Sequence, residues 1–221
     1  MHGSEDRDSA AREEMARFIL GLRAAGLRDT RVLAAMERVP RRLFVDPALG
    51  AEAHADRALP IDCGQTVSPP FLVAAMTEQL DVDARMKVLE IGTGSGYHAA
   101  VLAHLARRVT SIERYRTLAR AAEARFAALK LSNVTIVVAD GLEGWPPQAP
   151  FDRILVTGAV ERVPEPLLRQ LKEGGVMLVP IGKPGAPQYL RRIKRFACGV
   201  EDTELMEVNV APLVPGRARR L

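Results

Sequence analysis

The chain has 221 residues, 48% hydrophobic and 26% charged, with a net charge of +4. That suffices for one sizeable core, not two comfortable domains, and is ordinary for a soluble globular protein. No apolar run approaches a bilayer span, and the polar, acid-bearing residues 1–8 lack the h-region of an export signal, so a cytoplasmic protein without membrane partners is expected.

The first half-dozen residues read as disordered. From about 9 to 25, Met15, Phe18, Ile19 and Leu22 recur at helical spacing, and Gly26 ends that helix. Asp29 or Thr30 can cap a second helix carrying Val32, Met36 and Val39 on one face, stopped by Pro40. Residues 46–68 lack periodicity and read as a long ordered loop. A helix then starts near Ser68-Pro69-Pro70 and runs to Leu80.

From Met86 the pattern changes. Strands are expected at about 87–91, 109–112, 134–138, 154–157 and 176–180, with helices at 96–106, 115–130 and 164–172. Such alternation predicts a doubly wound parallel sheet with helices on both faces and right-handed crossovers. Later positions of Glu204-Leu205-Met206-Glu207-Val208-Asn209-Val210 alternate, which predicts an edge or antiparallel strand. The basic run Arg191-Arg192-Ile193-Lys194-Arg195 reads as a solvated edge strand and Arg217-Ala218-Arg219-Arg220 as a solvated tail, so nucleic acid is not an expected partner. The two cysteines, Cys63 and Cys198, and the four histidines show no metal-ligand spacing; reduced thiols and no metal are expected. One domain, 1–221, is expected, with helices and an upstream segment in 1–84, a core in 85–185 and C-terminal strands and tail in 186–221.

The run Val88-Leu89-Glu90-Ile91-Gly92-Thr93-Gly94-Ser95-Gly96-Tyr97 puts a glycine-rich turn between a strand and a helix, where backbone can approach a ligand. No Gly-Lys-Ser/Thr follows, as a P-loop needs, and Tyr97 stands where a dinucleotide fingerprint has its third glycine. Charge separates the remaining cofactors. A carboxylate on Glu90 facing the ligand would repel a pyrophosphate by about 4 kcal/mol per charge pair at 4 Å and an effective dielectric near 20. S-adenosyl-L-methionine presents an ammonium and a sulfonium and no phosphate, so the loop predicts that cofactor, with Gly92, Thr93, Gly94 and Gly96 as its backbone contacts. Glu113 follows the second strand near the spacing at which an acid grips ribose hydroxyls, and Asp140-Gly141 follows the third, placed to accept from the adenine amino group.

The sheet does not name the methyl acceptor. Val156-Thr157-Gly158-Ala159-Val160 replaces the Asn/Asp-Pro-Pro-Tyr/Phe stretch of amino-methylating nucleic-acid enzymes. Neither cysteine sits in the Pro-Cys of base C5 methylation, and no carboxylate cluster suits a metal-assisted catechol-type reaction.

The segment Leu59-Pro60-Ile61-Asp62-Cys63-Gly64-Gln65-Thr66-Val67-Ser68-Pro69-Pro70-Phe71-Leu72-Val73 closely resembles one that marks the protein-L-isoaspartate (D-aspartate) O-methyltransferases. The resemblance spans roughly residues 39–214. It takes in Val39-Pro40-Arg41 with Phe44-Val45, the glycine loop, Asp140-Gly141 with Gly144-Trp145, Ala149-Pro150-Phe151-Asp152, Leu171-Lys172 with Gly174-Gly175, and Pro180-Ile181-Gly182. It implies a Rossmann-like class I methyltransferase fold with an antiparallel C-terminal edge and an N-terminal helical extension. It implies methyl transfer from S-adenosyl-L-methionine to the free α-carboxylate of isoaspartyl residues in damaged proteins and peptides, with later repair through a succinimide. By the same resemblance Ser68 is the active-site serine, Gln65, Thr66 and Val67 lie beside the cofactor, and Glu90, Glu113, Asp140 and Gly141 contact it.

A helix N-cap competes for Ser68, because Pro69 and Pro70 offer no N–H and leave Phe71 as the capping donor. Two departures are visible. Gly158 stands where many relatives have alanine, and Val210-Ala211 is smaller than the usual Phe-Val, with Val214 replacing a threonine of some relatives. A monomer is expected. A carboxylate methyltransferase acting on other peptide aspartates, and a nucleic-acid-binding protein of the same fold, stay open as alternatives.

Overall fold

The structure is a computed structural model that describes residues 2–183 and 185–218. Arg219 and Arg220 of the basic tail lie outside the described residues. The elements in chain order are α1 (His2–Ala24), α2 (Thr30–Arg38), β1 (Leu59–Pro60), β2 (Thr66–Val67), α3 (Pro70–Leu80), β3 (Lys87–Ile91), α4 (Tyr97–Ala103), β4 (Arg108–Glu113) and α5 (Arg116–Ala128). They continue as β5 (Val134–Val138), β6 (Phe151–Val156), α6 (Glu165–Gln170), β7 (Leu171–Ile181), β8 (Gln188–Phe196) and β9 (Gly199–Val208).

Seven strands form one sheet in the order β5-β4-β3-β6-β7-β8-β9. Strands β3 to β7 are parallel, whereas β8 runs antiparallel to both neighbours. Alternation along the strands sorts side chains to two faces. Val88, Val109, Leu155, Val176 and Leu178 pack with residues of α1 to α5, while Leu89, Ile91, Ile112, Ile154, Val156 and Met177 pack under Leu167 of α6. Helices therefore cover both faces, unequally. No helix among the described residues is long and apolar enough to cross a membrane.

Three expectations need correction. First, α1 begins at His2 rather than near residue 9. Once its packed end is nucleated, a helix extends by one bond per residue and needs no apolar face to do so. Second, the stretch 46–68 is not wholly loop. It holds short 3-10 turns at Pro47–Glu52 and Asp62–Gly64 and a two-strand hairpin pairing Leu59 with Val67 and Pro60 with Thr66.

Third, the basic run 191–195 is not an edge strand, because β8 lies between β7 and β9. Leu190 and Ile193 are buried, and the cations find partners around them. Arg191 pairs with Asp202 at 2.9 Å and Glu204 at 3.2 Å, and Arg195 donates to the carbonyl of Leu168 at 3.0 Å. Arginine stems can cover apolar surface while their heads reach partners, so charge in sequence did not mean an edge.

Candidate active site

Between β3 and β6 the strand order changes direction, and the loops at their C-terminal ends part to leave a crevice. The glycine loop starts there. The Gly92 N–H donates to the Ile112 carbonyl at 2.8 Å, and the Thr157 hydroxyl donates to the carbonyls of Ile91 and Gly92, each at 2.9 Å. Gly92 has φ of +94°, and a Cβ there would lie 2.4 Å from the Thr157 hydroxyl oxygen. Only glycine lets the loop close on that threonine.

Gln65, Thr66, Val67 and Ser68 form one wall of the cleft, and Gly92, Thr93, Gly94, Glu113, Asp140 and Gly141 line the rest. Two expected residues do not reach it. Gly96 packs against Phe126 and Ala122 beneath α5. Glu90, expected to face the ligand, is wholly buried under the loop. One of its oxygens accepts from the Ser111 hydroxyl, which also meets the Thr93 hydroxyl at 2.5 Å, and the other has no partner among the described residues. Burial pushes its pKa up to about 8. The alternation of β3 causes this: Glu90 points to the same face as Val88, into the helices, and not along the strand toward the cleft.

Glu113 closes β4. Its carboxylate accepts from the backbone N–H of Gly94 at 2.8 Å and Tyr115 at 3.0 Å, and burial raises its pKa against those bonds. Asp140 accepts from Leu142 N–H at 2.9 Å and Gly216 N–H at 2.6 Å. Neither acid is ion-paired among the described residues, and each carboxylate oxygen retains a further lone pair. They can take hydroxyl, amine or ammonium donors.

At Ser68 the structure separates the two competing roles. The N–H of Phe71, the first free donor of α3, is capped by Asp56 at 3.0 Å, and the residue before α3 makes no side-chain cap. The hydroxyl of Ser68 makes no hydrogen bond among the described residues, while its carbonyl accepts from Arg41 at 2.7 Å. His98 and Tyr97 also border the cleft. Burial holds His98 down at about 3 and lifts Tyr97 to about 12, so neither changes charge near neutral pH.

Sequence reasoning missed several cleft residues. Arg114, Tyr115, Leu142 and Thr157 sit beside recognised positions at strand ends, and the rule that ligands bind there could have found them. Residues 209–214 also line the cleft; Val210, Ala211 and Val214 stood out in the sequence only by resemblance, and no local pattern places them there.

With this geometry in place, a sequence profile described as Protein-L-isoaspartate(D-aspartate) O-methyltransferase (PCMT) matches residues 13–218. The chain belongs to that family. A protein-L-isoaspartate O-methyltransferase of Xanthobacter autotrophicus is 58% identical over 209 residues, 95% of each chain. One of Parvibaculum lavamentivorans is 56% identical over 94% of each. Among solved structures, a protein-L-isoaspartate O-methyltransferase superposes with a TM-score of 0.80 at 30% identity; the alignment covers 90% of this chain and 65% of that one. A Plasmodium falciparum structure described as a protein-L-isoaspartate O-methyltransferase, in complex with S-adenosyl-L-homocysteine, gives 0.79 at 22% identity over 90% and 97%, which shows the shared fold.

Gly158 and Ala211, both singled out in the sequence, meet in the structure. A Cβ on Gly158 would stand 2.8 Å from the Ala211 carbonyl oxygen and from the Leu213 side chain. The Ala159 N–H donates to Ala211 at 2.9 Å, and Leu213 returns a bond to Ala159 at 2.8 Å. The glycine thus admits a C-terminal segment lying hard against the mouth of the cleft.

Proposed function

We infer that this chain transfers the methyl group of S-adenosyl-L-methionine to the free α-carboxylate of L-isoaspartyl residues in damaged proteins and peptides, the first step of repair through a succinimide. The observation that carries it is the family match over 13–218 together with the Gln65–Ser68 wall on the same cleft as the glycine loop. When bound, the cofactor offers an electrophilic methyl on a sulfonium.

The cleft suits that cofactor. Its loop offers backbone, two acids without ion pairs among the described residues border it, and the buried Glu90 carboxyl, one oxygen of which is unpartnered among those residues, lies beneath it. Glu113 is placed to hold ribose hydroxyls and Asp140 the adenine amino group. Gln65, Thr66, Val67, Gly92, Thr93, Gly94 and Gly141 supply the surrounding walls, with Gly96 shaping the loop from behind. Glu90 acts from below as a buried acid and not as a surface contact.

The acceptor needs no general base, since an α-carboxyl of pKa about 3.5 is already ionised at neutral pH. Ser68 has the remaining task. Its free hydroxyl donates to one carboxylate oxygen and turns the other toward the methyl group. Positioning of this kind can lower a barrier by roughly 7–11 kcal/mol.

Labelled S-adenosyl-L-methionine incubated with paired peptides differing only in Asp or isoAsp tests the reaction. Methyl transfer confined to the isoAsp peptide is expected. Equal labelling of both, or of neither, would sink it.

A further inference from the structure

Behind Ser68 the fold buries a charge that the chemistry above leaves unused. Arg41 follows α2 and is fully buried. Its Nε donates to the Ala53 carbonyl and its Nη2 to the Ser68 carbonyl, both at 2.7 Å. The guanidinium carbon stands 4.5 Å from the centre of the Tyr97 ring, the residue that opens α4 after the glycine loop. No carboxylate ion-pairs with it among the described residues, and its Nη1 has no hydrogen-bond partner there.

The charge of Asp56 favours the guanidinium from beyond ion-pair distance, while its carboxylate is bonded to the Phe71 N–H. A buried cation without a carboxylate in contact is costly, and an apolar side chain of similar volume would fill the space more cheaply. Two features show what this one supplies. The fork joins three pieces of chain at once: the turn at Ala53, the segment ending in Ser68, and the helix that follows the glycine loop. Its grip on the Ser68 carbonyl fixes the peptide plane next to Pro69, and so the direction in which Ser68 presents its hydroxyl. The cleft is also polarised. Glu113 and Asp140 border one end, where a cationic cofactor fits, and the guanidinium lies behind the Ser68 wall, where an anionic acceptor fits.

We propose that Arg41 is a positioning residue for methyl transfer: its guanidinium holds Ser68 in the orientation that receives the acceptor carboxylate and makes that end of the cleft favourable to an anion. This rests on the reading of Ser68 as the residue that contacts the acceptor. Lysine keeps the charge but cannot span both carbonyls as a fork, so Arg41→Lys separates orientation from simple charge.

The test compares the wild type, Arg41→Lys, Ser68→Ala and the double variant for isoAsp-peptide kcat and KM, cofactor affinity by calorimetry, and thermal melting. Arg41→Lys is expected to melt cooperatively and to bind cofactor within about threefold of wild type, while kcat falls about 10- to 100-fold, the cost of misplacing a reacting group by an ångström or less. Because Arg41 acts through Ser68, the double variant is expected to be no more than about twofold slower than the slower single variant. Multiplicative losses overturn the proposal, as does cofactor affinity falling in step with kcat. An Arg41→Lys chain that does not melt cooperatively assigns Arg41 to packing and also overturns it. Ser68→Ala turning over at the wild-type rate instead sinks the reading of Ser68 itself, a separate failure visible in that variant alone.

Discussion

Ser68 and Asp56 divide a task that the sequence left to one residue. With Phe71 already capped by Asp56, the hydroxyl of Ser68 is uncommitted at the cleft. Ser68→Ala is therefore expected to leave the melting temperature unchanged and to lower kcat about 10- to 100-fold, the weight of a hydrogen bond to a charged group; a drop in stability with an unchanged rate would reverse the assignment. Glu90 carries a pH signature. Its folded pKa, about 8, lies above the usual carboxylate value because it is buried. Between the two values the folded state holds a proton that the unfolded state has lost. Its contribution to stability is thus full below the unfolded pKa and is lost as pH rises through about 8. Glu90→Gln keeps the shape and removes the titration. Melting curves of the cofactor-free protein from pH 6 to 9 should fall more steeply for wild type than for Glu90→Gln; parallel curves would contradict this. The acid at 90 was legible as unusual, but its direction was not, because a strand's alternation says which face only once the faces are assigned.

At the scale of elements, α3 ends and begins where the sequence placed it, and its Pro69-Pro70 entry forced the question of what caps it. The answer came from 15 residues upstream in chain order, a contact no local pattern encodes. Asp56→Ala is expected to cost about 1 kcal/mol as a lost cap and to lower the melting temperature by roughly 2–4 °C in a chain of this size, with cofactor affinity unchanged in calorimetry. The C-terminal segment 209–214 makes a second case. Gly158 could be read as a packing change, yet its reason lies in how closely Ala211 and Leu213 approach it. Gly158→Ala should push that segment off the cleft and weaken cofactor binding several-fold, since about 1–3 kcal/mol of overpacking is typical at a filled site; unchanged affinity would show that the segment does not help close the cleft. Several family segments do work away from the cleft. Gln170 accepts from the Trp145 N–H, and Asp152 accepts from Lys87 N–H and pairs with Lys172.

For the whole molecule, α1 to α5 share one apolar core with one face of the sheet, which joins the N-terminal helices to the strands. We propose that residues 1–221 form one cooperative unit. Circular dichroism and the fluorescence of the single tryptophan, Trp145, should report coincident thermal transitions, and cofactor at 100 times its Kd should raise stability by about 2.7 kcal/mol; two separated transitions would divide the chain. The sequence by itself determined the fold class, the parallel strands, the cofactor-type loop and the family. Those properties lie in local periodicity, in glycine where φ is positive, and in short contiguous motifs. Only the tertiary structure decided that the basic strand β8 is interior, that Glu90 lies under the cleft, that Asp56 caps Phe71, that Arg41 is buried against the Ser68 carbonyl, and that residues 209–214 line the cleft. Each of those depends on residues far apart in sequence meeting in space, through burial, hydrogen bonding and charge that no local window contains.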